Sequence, residues 1–257
     1  MTESKTILET KDLTIRFGGH VAVNSVSCKF ERGTLTSIVG PNGAGKTTYF
    51  NLISGQLPPS EGRVLLNGKD VTDISPADKT LKGIGRAFQL TNLFPMLTVL
   101  ENVRLAVQGK AQIGFSLIRM ADTYKELIEK AEFYLEKCSL IDKKNTIASV
   151  LSHGDQRKLE VAVLMALEPE VFMFDEPTAG MSVDDVPVIL DLIHEIKEST
   201  DKTIMLVEHK MDVIKSLSDR IIVLHNGTLL EDGEPEKVIA SPIVQEVYLG
   251  VEAKKDD

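Results

Sequence analysis

Two cysteines in 257 residues leave no room for a disulfide framework. Cys28 and Cys138 lie too far apart in sequence to form a CxxC redox or zinc motif, and both read as small buried apolar residues of a chain kept in a reducing compartment. No apolar run reaches the ~20 residues that a membrane-spanning helix needs. The start, Met1-Thr2-Glu3-Ser4-Lys5, lacks the apolar stretch of a secretory leader. There is no long run of Lys and Arg either. With 29 basic against 38 acidic residues the formal net charge is −9, which argues against nucleic acid as the main partner. Docking to a membrane protein needs only a local complementary patch and stays open. Repeats and low-complexity segments are missing too, and only Lys254 to Asp257 reads as a loose tail. The expectation is a cytosolic globular chain that would need separate membrane subunits for any membrane work.

What is present is ordinary in bulk: 42% hydrophobic and 26% charged residues, enough for a substantial core in one large or two small domains. Residues 6–31 read as strands. Ile7, Glu9, Lys11, Leu13, Ile15 and Phe17 run near period two, Gly18-Gly19 marks a turn, and a β-rich pattern resumes from Val21 to Phe30. A second turn is signalled by Asn67-Gly68 after Arg63-Val64-Leu65-Leu66. These short strands predict a small antiparallel sheet laid against the core. From about Thr98 to Met165 the character is helical, with an apolar stripe at Tyr124, Leu127, Ile128, Ala131, Tyr134, Leu135 and Cys138. Residues 109–122 fit either a short amphipathic helix or a loop. Beyond them, the apolar runs 171–174 and 203–207 flank a helix carrying Val186, Ile189, Leu190, Ile193 and Ile196 on one face, with Pro187 in its first turns. Strand–helix–strand alternation implies a parallel α/β sheet with right-handed crossovers. A hairpin turned at Asn226-Gly227 and a last helix opening at Ser241-Pro242 close the chain.

The stretch Gly40-Pro41-Asn42-Gly43-Ala44-Gly45-Lys46-Thr47-Thr48 fits G-x-x-x-x-G-K-[ST], a phosphate-binding loop. Its flanks suit that reading: Leu35 to Val39 is a buried-strand pattern, and Tyr49 to Ile53 carries no breaker before Gly55, so a helix can start there. Glycines let the backbone curl so that successive N–H groups face phosphate oxygens, and the helix end adds the positive pole of its dipole. Lys46 would reach the β- and γ-phosphates of a nucleotide, and the Thr47 hydroxyl would sit on Mg²⁺.

Asp175-Glu176 closes the run 171–174, where open α/β sheets place ligands. Asp175 is suited to hold Mg²⁺ and Glu176 to take a proton from an attacking water, although an Asp-Glu pair after a strand is also a common helix cap. His209 follows the next apolar strand as Glu208-His209. An imidazole there could hydrogen-bond a γ-phosphate or be purely structural. Gln89, in Arg86-Ala87-Phe88-Gln89, is unremarkable alone. The segment Leu151-Ser152-His153-Gly154-Asp155-Gln156 places a Ser and a Gly just before a helical run from Gln156. That is either an ordinary N-cap or a second anion-binding helix end serving the nucleotide of another copy of the chain.

Taken together, these stretches resemble the ATP-binding subunits of ABC transporters, in the order phosphate loop, Gln89 loop, signature segment 151–156, Asp-Glu strand and switch histidine His209. The resemblance implies an α/β fold: a P-loop NTPase (RecA-like) parallel-sheet core with an antiparallel β subdomain and an inserted α-helical subdomain at about residues 90–160. The nucleotide-binding domain would span 6–250, with 251–257 as tail. It also implies ATP and Mg²⁺ as ligands, with Gln89, Thr47 and Asp175 at the metal. Glu176, His209 and Gln89 would serve hydrolysis. Phe17 would stack on adenine, and Ser152, Gly154 and Gln156 would meet the nucleotide held by a second ATPase subunit, the same or a paralogous chain. Residues 179–184 would form the D-loop across that dimer. His153 and Asp155 depart from the usual LSGGQ, and Ala-Gly-Met-Ser-Val-Asp departs from the commoner D-loop. The stretches 85–89, 97–103, 207–211 and 247–250 are most similar to the ATPase components of branched-chain amino-acid importers. Urea, amide and lipopolysaccharide-export ATPases share much of the pattern. A non-transport assembly ATPase is the rival from another class. The implied partners are integral membrane permease subunits and, indirectly, a solute-binding protein, at the cytoplasmic face of the membrane.

Overall fold

The computed structural model describes residues 5–87, 93–112, 120–181, 183, 186–199 and 202–249. Gln89, Ser182, Asp184 and the tail 251–257 lie outside them. The chain opens with β1 (Thr6–Phe17) and β2 (His20–Glu31), an antiparallel hairpin turned at Gly18-Gly19. Next come β3 (Leu35–Val39), α1 (Lys46–Ser54), β4 (Glu61–Leu66) and β5 (Lys69–Asp70). Asn67-Gly68 turns the last two strands as expected: both residues have positive φ, the geometry that this dipeptide suits. Strands β2, β1, β4 and β5 form the four-stranded antiparallel sheet.

After α2 (Pro76–Leu81), β6 (Ile84–Ala87) begins the second sheet, and three helices follow: α3 (Val99–Lys110), α4 (Met120–Lys137) and α5 (His153–Ala166). Of residues 109–122, 109–110 end α3, 120–122 open α4, and 113–119 lie outside the described residues. The apolar stripe of α4 is largely inside. Leu127, Ala131, Tyr134, Leu135 and Cys138 are buried against Val99, Val103 and Val107 of α3 and Leu159 of α5, whereas Tyr124 stays half exposed. The remaining elements are β7 (Val171–Asp175), α6 (Val186–Ser199), β8 (Thr203–Val207), α7 (Met211–Leu217), β9 (Arg220–His225), β10 (Thr228–Gly233), α8 (Pro235–Ala240) and α9 (Pro242–Leu249).

The six-stranded sheet runs β10-β9-β3-β8-β7-β6, parallel except for β10 at its edge. Its central strands are apolar on both faces because both faces are covered. Along β7, Phe172 and Phe174 join the cluster built on α3–α6. Val171 and Met173 join the opposite cluster, built on α1 and the antiparallel sheet. Strand β8 alternates the same way, with Ile204 and Leu206 on one side and Met205 and Val207 on the other. A third cluster packs α7–α9 on β9 through Ile214, Ile221, Val223, Val238 and Val244. Among the described residues, no helix is long and apolar enough to cross a membrane.

Two helix starts differ from the sequence reading. Helix α1 begins at Lys46, inside the motif, because Gly45 in the left-handed region ends the loop and releases the next residue into the helix. Helix α5 begins at His153 rather than Gln156, since the Ser152 hydroxyl already accepts from the N–H of Asp155 and so caps the helix three residues earlier.

Candidate functional site

Register decides which side chains meet. Strand β3 lies between β9 and β8, and β8 lies between β3 and β7. Val207 pairs with Ile38 on one side and Asp175 on the other, so the C-terminal ends of three neighbouring strands stop at one level. The phosphate loop leaves β3 there, Asp175-Glu176 leave β7, and Glu208-His209 leave β8. Open parallel sheets gather ligands at such an edge.

The loop itself is held by its neighbours. A Cβ on Gly40 would stand 2.1 Å from the Leu224 carbonyl oxygen, and one on Gly45 2.6 Å from that of Ala22. Both glycines also have positive φ (150° and 98°), so no other residue fits either place. The N–H of Gly227 donates to the Ala44 carbonyl and the N–H of Asn24 to that of Gly227, tying loop, β2 and the β9–β10 turn together. Tyr49 and Phe50 anchor α1 with fully buried rings. Lys79 of α2 closes the far end of α1, donating to the Leu52 and Ile53 carbonyls, and burial pushes its ammonium down to about 8.

Residues Asn42 to Thr48, Glu176 and His209 line an open cavity of about 170 Å³. Lys46 donates through Nζ to the Gly40 oxygen at 2.7 Å and the Pro41 oxygen at 3.0 Å. Burial lowers its pKa, and the carboxylates of Glu176 and Asp175 pull it back up. The Glu176 Oε1 lies 2.8 Å from His209 Nε2, with both side chains about 40% exposed and reachable by solvent. Glu176 holds a left-handed backbone (φ 51°), a conformation costing a non-glycine residue on the order of 1 kcal/mol, and its N–H donates to the Val207 carbonyl. Such strain persists only where the surroundings fix it. Glu208 helps to do so: its buried carboxylate accepts from the Thr178 hydroxyl on one oxygen and from the N–H groups of His209 and Lys210 on the other. Glu208 thereby locks the exits of β7 and β8 together.

Asp175 is 1% exposed. One oxygen accepts from Arg86 Nη2 at 2.7 Å, and the other, Oδ1, is buried without a hydrogen-bond partner. Burial raises the Asp175 pKa, while Arg86 opposes that rise and the Glu176 charge adds to it. Arg86 also donates to the Asn51 Oδ1 at 2.6 Å and the Ser54 Oγ at 2.9 Å, with its guanidinium over the Phe50 ring. It therefore ties Asp175 to the phosphate-loop helix. Arg86, Asn51, Ser54 and Glu208 escaped the sequence reading as functional residues; only the polar faces that they place in otherwise apolar runs hinted at them. Arg86→Met is expected to lower the unfolding free energy by about 3 kcal/mol, because it strands a buried carboxylate, and urea denaturation of the two chains checks this.

Phe17 ends β1 opposite His20 and is 50% exposed, at the tip of the hairpin whose Ala22 abuts Gly45. The signature residues are elsewhere. Ser152 caps α5, Gly154 is in its first turn, and Gln156 donates to the Leu151 carbonyl at 3.3 Å; none of the three lines the phosphate-loop cavity. The structure thus brings Lys46, Thr47, Glu176 and His209 to one cavity, with Asp175 beside them, and leaves the second helix end apart. Gln89 lies outside the described residues.

A family model described as "ABC transporter" matches residues 23–179. The high-affinity branched-chain amino acid transport ATP-binding protein LivG of Escherichia coli (strain K12) is 36% identical over 252 residues, covering 96% of this chain and 99% of that protein. Among solved structures, a nucleotide-free ATP-binding cassette from an ABC transporter aligns with a TM-score of 0.82 at 31% identity over 96% of this chain and all of that one. A dimeric cassette in a post-hydrolysis state, bound to ADP and phosphate, aligns with a TM-score of 0.77 at 28% identity, covering 89% of this chain and 99% of that one. A phosphate loop, an Asp-Glu strand end and a histidine set at one sheet edge, with a matching family model and relatives over nearly the whole length, lead to one assignment: the chain belongs to the ABC transporter family.

Proposed function

We propose that this chain is the ATP-hydrolysing subunit of an importer for branched-chain, hydrophobic amino acids, working as a head-to-tail dimer around two ATP molecules. The observation that carries the reading is the convergence of Lys46, Thr47, Glu176 and His209 on one cavity at the ends of three adjacent strands. Phosphoryl transfer asks a protein mainly for positioning and charge neutralisation. In this reading the loop N–H groups and Lys46 hold the β- and γ-phosphates, Lys46 exchanging the Gly40 and Pro41 carbonyls for phosphate oxygens. Glu176 accepts the proton of the attacking water, and His209, already on its Oε1, keeps it aimed. Phe17 stacks on the adenine.

Mg²⁺ fits the residues present. The Thr47 hydroxyl and the unpartnered Oδ1 of Asp175 are the hard oxygen donors that such a cation takes, with Gln89 as a further candidate. When bound, the cation supplies neutralisation of the β- and γ-phosphate charge.

Ser152, Gly154 and Gln156 stand apart from the chain's own cavity, which supports their serving the nucleotide of a second copy. Val183, 88% exposed in the segment after Gly180, supports a dimer contact there. Phe94, Met96, Ile147 and Val150 are exposed large apolar residues on two segments joined by backbone hydrogen bonds, among them Ser149 N–H to the Pro95 carbonyl and Ala148 N–H to that of Leu97. We assign this patch to the permease subunits, through which the chain sits on the cytoplasmic face of the membrane and responds to a solute-binding protein. Deleting the chain is expected to reduce uptake of radiolabelled leucine, isoleucine and valine to background, with recovery on returning the wild-type chain but not Glu176→Gln. Unchanged uptake of all three would contradict the substrate.

A further inference from the structure

The signature segment differs from the common pattern at Asp155, which puts a carboxylate in the first turn of the helix whose N-terminus would face the second copy's γ-phosphate. A helix end carries about half a positive charge, which does not outweigh one full negative charge. On its own, Asp155 would turn an anion-attracting end into a repelling one.

The side chain is not on its own. Lys143, at the end of the short 3-10 turn Ile141–Lys143, forms an ion pair with Asp155 Oδ2, and Lys158 lies 3.7 Å from Oδ1. The Asp155 side chain is 12% exposed, while that of Lys143 is 48% exposed. Burial pushes the Asp155 carboxyl up, but the Lys143 and Ser152 hydrogen bonds and the two lysine charges outweigh it and hold the group below its ordinary range. The Ser152 hydroxyl is engaged on the same oxygen: it donates to Oδ2 at 3.0 Å while accepting from the Asp155 N–H at 3.2 Å. A hydroxyl has one proton to give. If Ser152 donates to a phosphate, Asp155 Oδ2 loses that bond, and the Lys143 ion pair is what keeps this poorly solvated oxygen from being left unsatisfied.

We propose that Lys143 is a positioning residue of the composite ATP site: it holds Asp155 Oδ2 and cancels its charge, so that the Ser152 hydroxyl is free to turn to the γ-phosphate held by a second copy of this chain. Lys143 acts through Asp155 and Ser152 and does not line the chain's own phosphate-loop cavity. This rests on the dimer reading above and adds to it the way in which Asp155 is tolerated in the signature.

The test uses the full chain carrying Glu176→Gln as parent, with Mg²⁺-ATP, and follows dimerisation by sedimentation velocity and nucleotide affinity of the monomer with a fluorescent ATP analogue. Adding Lys143→Ala is expected to weaken dimerisation at least ~10-fold, the size of one charge-assisted contact, with monomer affinity unchanged within ~2-fold. Adding Asp155→Gln as well is expected to bring dimerisation back to within ~3-fold of the parent, since a neutral residue needs no compensating cation. Thermal melts of all three chains confirm that they are folded. Undiminished dimerisation of the Lys143→Ala chain overturns the proposal. So does a triple variant as weak as the double, which would make Lys143 merely structural. A parent that stays monomeric with ATP overturns the dimer reading itself, and the proposal with it.

Discussion

A Glu176→Gln chain is expected to bind ATP as the wild type does and to hydrolyse it at least ~100-fold more slowly, trapping the closed dimer. The magnitude follows from the rate that a well-placed general base contributes, about 10²–10⁴. Glutamine keeps the volume of the side chain and can still hydrogen-bond the His209 Nε2 that lies 2.8 Å from Glu176 Oε1, so the cavity keeps its shape while losing its proton acceptor. In the proposed mechanism the closed dimer persists because hydrolysis would remove the phosphate contacts bridging the two copies. Steady-state phosphate release and sedimentation with ATP check the two halves of this expectation. Wild-type turnover would remove Glu176 from the base role. The left-handed backbone at Glu176 sharpens the point, since a strained position tied down by Val207 and flanked by the Glu208–Thr178 clamp holds one carboxylate direction.

The sheet order could be anticipated only in outline. Apolar runs marked β3, β7 and β8, and Asn-Gly turns marked the β4–β5 and β9–β10 hairpins, because short buried strands and φ-positive turns leave compositional traces. That β8 lies between β3 and β7 left no such trace, being fixed by which crossover helix packs on which face. This order is what joins Lys46, Glu176 and His209. The candidate site residues that the structure brings together, Lys46, Thr47, Glu176 and His209, could be named from the motif and the strand ends. Arg86 and Glu208 were not, because their task is to hold Asp175 and the exits of β7 and β8, and those contacts cross 89 and 30 residues of chain. The N-terminus of α5 was misread by three residues because His153-Gly154 looked like loop, whereas the Ser152 cap and the acidic Asp155 in the first turn start the helix at once. The meaning of Asp155 was out of reach without Lys143 beside it.

The largest effect is expected at the phosphate loop. Lys46→Ala removes the only lysine of the loop and with it a charge-assisted bond to phosphate worth on the order of 1.5–3 kcal/mol, so ATP affinity should fall ~10- to ~100-fold and turnover should vanish. Burial has already lowered the Lys46 pKa, which marks an ammonium drawn from bulk water toward the cavity. Calorimetric titration of ATP into the variant checks the affinity, and an unchanged value would undercut the loop's role.

The central claim, that one copy's phosphate loop works with another copy's signature helix, is tested most directly by mixing two inactive chains. Lys46→Ala leaves Ser152 intact, and Ser152→Ala leaves Lys46 intact. In a mixed head-to-tail dimer one site carries both lesions and the other carries neither. Each variant alone should show ATPase activity near background, and an equimolar mixture should regain a substantial fraction of wild-type activity, rising with total protein concentration. Activity of the mixture no greater than the mean of the two separate chains would contradict the shared site.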